Sequence, residues 1–200
     1  MRRREISAEE PRAAPPSVPP EFDGDEVQRS EDGSGPLFHR RYRITIAEAG
    51  LTGAEVMAKI QADPNLVAPT EFARFEMTRG KDGAMWINDE YIVHMPGPWN
   101  GPVRVAEVAE DSFRLVTLRG HLEAGQIEFR VLEDDDLVFQ IQSWARSGDV
   151  LSSLLYDRLR MAKEIQLHMW TSTLEQVVRL SGGSRRGPLS IETHRFDVDG

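Results

Sequence analysis

Cysteine is absent from the 200 residues, which removes disulfides, thiolate nucleophiles and cysteine-ligated zinc together. The absence fits a reducing compartment, and the chain reads as cytoplasmic. No apolar run approaches the ~18 residues that a bilayer-spanning helix needs, so no membrane span is expected. Arg2, Arg3 and Arg4 imitate the start of a secretion signal. Acidic and proline-rich residues follow where its apolar core belongs. Net positive charge is lacking too: the formal charge is −9, and no basic stripe runs through the middle of the chain. Nucleic acid and anionic membranes are therefore poor partners.

Catalytic and cofactor signatures are missing in turn. There is no Gly-x-Ser-x-Gly elbow, no phosphate loop, and no Gly-x-Gly-x-x-Gly behind a strand. His39, His94, His121, His168 and His194 show no HExxH or paired spacing, so no metal is expected. His94 and His121 would approach each other only if their strands pair. The acidic run 133–136 lacks the spacing and glycine of a calcium loop and reads as a solvated hairpin tip. No cofactor is assigned.

What is present has an order. Residues 1–36 hold half of the twelve prolines and show no apolar period, so they read as a disordered acidic tail. Over 41–47, Tyr42, Ile44 and Ile46 alternate with polar residues, as in a half-buried strand. Thr52 and Glu55 form a capping box for a helix carrying Val56, Met57 and Ile60, which stops at Asp63-Pro64. A second short helix is expected after Pro69 from Phe72, Phe75 and Glu76, ending at Arg79-Gly80. Strands follow over 91–95, 103–108, 113–118, 126–132 and 137–143, separated by turn residues and joined as antiparallel neighbours. Asp149 caps a final amphipathic helix that runs to about Leu180 and closes at Gly182-Gly183. After it comes a flexible tail, 184–200, in which 189–198 reads as a short edge strand.

The expected fold is therefore α+β. It is a helix-grip: a curved antiparallel β-sheet wrapped on a long C-terminal α-helix, over residues 37–183.

Within that frame, Phe113 to Phe129 reads FRLVTLRGHLEAGQIEF. The stretch resembles the signature of an uncharacterised bacterial and plant family that commonly has Gly-His-Pro-Glu-Ala-Gly-Glu-Glu before a strand aromatic. Trp86, Asp89-Glu90, Gly97-Pro98-Trp99 and Ser143 before the last helix add to the likeness, which covers 38–182. Leu122 stands where proline is usual, Gln126-Ile127 replaces the acidic pair, and Trp144-Ala145-Arg146 replaces an Arg-Pro-Ala segment. The resemblance implies a relation to the START-like and polyketide-cyclase superfamily, also called Bet v 1-like. It also implies a cavity between sheet and helix, and no established activity.

His121 and Glu123, flanked by Gly120 and Gly125, lie two residues apart and so share one face of an extended backbone. They read either as an acid–base pair, with Glu128 as a further candidate, or as side chains that hydrogen-bond their own turn. The candidate ligand-lining set is Trp86, Tyr91, His94, Trp99, Arg119, Phe129, Phe139, Trp144 and Tyr156, each of which equally serves a packed core. Arg104, Arg114, Glu128, Gln140 and Gln142 alternate with apolar residues, and their face is open. The first function to follow is binding of a small hydrophobic or amphipathic ligand. Cyclase- or isomerase-like chemistry in the same cavity is the second, and a protein-interaction domain the third. Oligomeric state and ligand identity are not legible.

Overall fold

A computed structural model of the chain describes residues 2–7, 15–22, 24, 26–96, 100–147 and 156–197; for 2–7, 21 and 156–165 it describes the backbone only. Period-two alternation builds most of it. The strands are β1 (Arg2–Ser7), β2 (Ser34–Ala47), β3 (Arg74–Arg79), β4 (Glu90–His94) and β5 (Asn100–Val108), then β6 (Ser112–Thr117), β7 (Glu123–Glu133), β8 (Leu137–Ser147), β9 (Ser184–Arg185) and β10 (Ser190–Phe196). Among the described residues they form one sheet in the order β1-β10-β2-β8-β7-β6-β5-β4-β3, with β9 on β2. Every pairing is antiparallel except β1 with β10.

Among the described residues two α-helices, α1 (Gly53–Ala62) and α2 (Tyr156–Ser181), pack on one face. The capping box at Thr52 and Glu55 is formed as expected. The Glu133 carboxylate also accepts the Gly53 N–H, so the acidic hairpin tip helps to hold the start of α1. Ser181 ends α2, and Gly182 follows at φ +71°, a left-handed conformation that glycine adopts cheaply. The expected Asp149 cap lies outside the described residues.

The inward face carries Tyr42, Ile44 and Ile46 of β2, Phe113 and Leu115 of β6, Phe129 and Val131 of β7, and Phe139 and Ile141 of β8. All of these are buried in one core with Met169, Trp170, Leu174 and Val177 of α2. The outward face carries Arg104, Arg114, Glu128, Gln140 and Gln142, opposite in phase to those residues. That settles the face left open by alternation alone.

Three expectations are corrected. Residues 74–79 are a strand, not a helix. Phe75 faces Val93 and Met77 faces Tyr91 on β4, so pairing with a ready strand overrides an i, i+3, i+4 spacing that suited either structure. The tail reading of 1–36 fails over its described part. Phe22 and Val27 are buried against Ala106, Val116 and Leu118 on the outer face, and Glu26 pairs with Arg104 at 2.6 Å. Few apolar residues suffice here because they dock on a surface the sheet already offers. Nor is 184–200 a flexible tail throughout: the strand expected over 189–198 forms as β10 beside β2, with Ile191 opposite Tyr42, but it is not an edge strand because β1 pairs with its other side.

Candidate functional site

The concave face divides into two halves. In the half nearer α1 the aromatic side chains interlock: Phe113 stacks on Phe129 at 4.7 Å, and Trp170 meets the Phe129 ring edge-on at 5.7 Å. The space left among Ala73, Phe113, Phe129, Met169 and Trp170 is about 20 Å³, room for one water at most. This half is core, not cavity.

The other half lies toward the start of β7 and is built differently. Arg40 falls on the core face because it precedes Tyr42 by two residues. Its Nη1 donates to Glu123 Oε1 at 3.3 Å, and Gln166 of α2 donates to Glu123 Oε2 at 2.9 Å. The Arg40 guanidinium also sits over the Phe38 ring, 4.8 Å from its centroid. Ser143 is the register partner of both Arg40 and Ile127. It is 4% exposed, and its Oγ has no hydrogen-bond partner among the described residues. Around this polar chain Phe38, Ile127 and Leu167 are only half-buried although they face inward. These apolar side chains keep more accessible surface than the aromatic cluster in the other half.

His121 sits at the rim of this half. A Cβ on Gly101 would stand 3.0 Å from His121 Nε2, so the bare backbone there admits the imidazole. Nδ1 lies 2.9 Å from the Glu123 amide and accepts its N–H. Burial pushes the imidazole pKa below its ordinary value, against the pull of Glu123. The ring is therefore neutral and tied to backbone. The Glu123 carboxylate is engaged by Arg40 and Gln166 instead, and Glu128 lies on the outer face, accepting from Gln142 and Arg130. Proximity of His121 and Glu123 was expected; an acid–base pair including Glu128 does not form.

The ligand-lining set scatters. Tyr91, Phe129 and Phe139 face inward and are buried in the core; burial pushes the Tyr91 phenol up to about 12. Trp86 is 63% exposed in the turn between β3 and β4, where its backbone N–H donates to the Asp89 carboxylate. His94 points outward to Glu76 and Asn100, so it does not meet His121. Arg119 is exposed in a turn, its amide donating to Glu26 O. Trp144 is on the outer face, stacked on His39 at 5.0 Å. Trp99 lies outside the described residues, and Tyr156 is described only as the first backbone position of α2.

Arg40 and Gln166 went unread in the sequence. Continuing the alternation back from Tyr42 would have placed an arginine on the core face, and three residues before Met169 a glutamine shares its side of the helix. Among the described residues no cluster of three His, Asp or Glu side chains could hold a metal, and no helix is long and apolar enough to cross a membrane.

Two larger depressions lie elsewhere. A groove of about 640 Å³ separates 69–72 from Thr171, Glu175 and Arg179. A recess of about 230 Å³ lies on the outer face beside 15–18, Val116 and Gln126. The first is open and rimmed by charges that pair with one another, such as Arg185 with Glu175 at 2.7 Å. In the second the chain's own segment already meets the polar side chains, Pro16 O accepting from Gln126. Neither presents a buried unpartnered group, so the concave face is the better candidate.

No curated protein matches the sequence. Among solved structures the chain is similar to the di-domain ARO/CYC StfQ from the steffimycin biosynthetic pathway, at 10% identity and a TM-score of 0.52. The match covers 76% of this chain and 52% of StfQ, so the chain spans about half of that protein. It is also similar to major latex-like protein 151 of Panax ginseng, at 13% identity and a TM-score of 0.51, covering 72% of this chain and 97% of that one. These likenesses establish the fold, an α+β helix-grip with an antiparallel sheet and a C-terminal helix. The sequence pattern of the family described as Domain of unknown function (DUF1990) matches residues 72–175. That match spans just over half of the 200 residues, and the chain belongs to the DUF1990 family.

Proposed function

We propose that this chain is a small-molecule binding module whose hydrophobic or amphipathic ligand sits in the open half of the concave face, beneath α2. The observation that carries this reading is the contrast along one face. Phe113, Phe129 and Phe139 are sealed from water, while Ile127 on the same sheet face and Leu167 of α2 opposite it are only half-buried. Apolar surface left accessible between two layers is stabilised by whatever organic molecule covers it. By analogy of fold alone, the likeness to StfQ, a di-domain ARO/CYC of the steffimycin biosynthetic pathway, is consistent with a small organic ligand. The absence of cysteine supports a cytoplasmic setting.

Binding is preferred to acid–base catalysis because His121 meets backbone and Glu123 is already neutralised by Arg40. Native mass spectrometry of freshly purified protein tests the reading: an adduct of a few hundred daltons is expected. Its loss in Ile127→Trp, which fills the open half, is expected too. An adduct-free spectrum for the wild type, with no apolar probe bound at millimolar concentration, overturns it.

A further inference from the structure

The convex side of the sheet carries an occupant of its own, on the opposite face from the ligand reading above and independent of it. Every residue from Pro15 to Pro20 except Ser17 is a proline or precedes one. Proline fixes φ at about −65°, and the residue before a proline is pushed out of the helical region. The segment is therefore held in the extended polyproline II form until the short 3-10 helix Pro20–Phe22. It offers carbonyls and little else. Pro16 O accepts from Gln126 Nε2 at 2.7 Å, and Ser17 O accepts from Arg114 Nη1 at 3.1 Å. No N–H of 15–18 donates to the sheet backbone among the described residues. Both donors are fixed by the sheet itself: Arg114 also donates to Gln126 Oε1, and its Nη2 pairs with Glu107 at 2.7 Å.

This contact differs from core packing. A packed interior leaves few voids larger than a water molecule, yet a recess of about 230 Å³ lies among 15–18, Val116, Gly125 and Gln126. Ser17 and Pro20 are exposed, and Pro15, Pro16, Val18 and Pro19 are only half-buried. No side chain of 15–20 is charged, so the sheet reads the extended shape and the carbonyls alone. Preformed polyproline II segments dock at small ordering cost. Just beyond, Phe22 is buried against Ala106, Val116 and Leu118, and Val27 bridges Leu118. These anchors keep 15–20 beside the groove at an effective concentration of about millimolar, seated or not.

We propose that the convex groove over β6 and β7 is a docking site for an extended proline-rich segment of another protein, and that residues 15–20 are the occupant the chain itself supplies, masking the groove until displaced.

The test is made in the full chain. Pro15→Gly, Pro16→Gly and Pro19→Gly are combined, which keeps every carbonyl and removes the fixed φ. Each proline is worth about 2–5-fold in ordering the segment, so the resident is weakened on the order of 30-fold. Fluorescein-labelled octaproline is the probe and a Gly-Ser octapeptide its control, both followed by anisotropy. The triple variant is expected to bind octaproline saturably below ~1 mM, and the wild type about tenfold more weakly or less, because its own segment competes. The Gly-Ser peptide should bind neither. Gln126→Ala added to the triple variant should weaken octaproline about fivefold, the loss of one hydrogen bond. Circular dichroism checks folding. If the triple variant does not fold, octaproline titrated into the wild type to ~20 mM, above the resident's effective concentration, decides instead. The Gln126 side-chain amide resonances should then shift with octaproline and not with the Gly-Ser peptide. No octaproline binding, equal binding of the two peptides, or a Gln126→Ala variant that binds as well as its parent overturns the docking site. Equal affinity of the wild type and the triple variant overturns the masking.

Discussion

The Arg40 guanidinium and the Glu123 carboxylate meet at 3.3 Å although 83 residues separate them in the chain. Arg40 enters from β2 and Glu123 from the start of β7, with β8 between those strands. Each is on the inward face, and each would otherwise leave a charge beneath α2. The pair therefore belongs to the site and to the stability of the fold at once.

Removing the two partners should not cost the same. Arg40→Ala leaves a carboxylate that is only a quarter exposed without its cation, and should destabilise by about 2–3 kcal/mol. Glu123→Gln keeps a hydrogen-bond acceptor but leaves the Arg40 guanidinium, the more buried partner at 9% exposure, without its counter-charge, and should cost more, about 3–4 kcal/mol. Urea denaturation of the two variants checks the order, and equal losses would contradict it.

His39 makes the fold sensitive to acid. Burial, followed by the nearby Arg41 charge, lowers its pKa from 6.5 to about 4. The unfolded chain takes up that proton first as pH falls, so the stability is present in full above 6.5. It is lost progressively down to about 4. The amount is on the order of 1–3 kcal/mol. His39→Phe keeps the stack on Trp144 and has nothing to titrate. Its urea midpoint should therefore vary less with pH across this window than that of the wild type.

Phe22 tests the outer-face segment. It is 2% exposed, packed with Val27, Val116 and Leu118, with the Arg104 guanidinium 6.0 Å from its ring centroid. Phe22→Ala should cost about 2–4 kcal/mol. An unchanged thermal midpoint would mean that the segment contributes nothing to the fold.

Two glycines of the motif around His121 should behave differently. A Cβ on Gly125, at φ +154°, would stand 2.0 Å from the Trp144 carbonyl oxygen, whereas one on Gly120, at φ +93°, meets nothing within 4 Å. Gly125→Ala must break the β7–β8 pairing locally and should cost about 3 kcal/mol or more. Gly120→Ala bears only its left-handed backbone, about 1 kcal/mol. Thermal denaturation of both separates the two causes.

What could be read without coordinates followed from local periodicity. Ile127, Phe129 and Val131 alternate with Glu128 and Arg130, and the observed register keeps that phase. Thr52 and Glu55 sit three residues apart, and the capping box forms. Residues 72–76 misled because Phe72, Phe75 and Glu76 suit a helix while Phe75 and Met77 suit a strand. Only β4 lying alongside decides between them. Trp86 and Trp144 misled differently, since size and apolarity say nothing about which face a side chain takes.

The sequence by itself determined an antiparallel sheet on helices, a cysteine-free chain without catalytic or metal motifs, and a tight turn at His121 and Glu123. These depend on chemistry repeated every two or every three to four residues. The tertiary structure decided the rest: which strand face turns inward, that Phe22 and Val27 dock on the outer face, and that Arg40, Glu123 and Gln166 meet beneath α2. Their separation along the chain hides the meeting, because a site assembled from three elements exists only once the sheet has brought β2, β8 and β7 side by side.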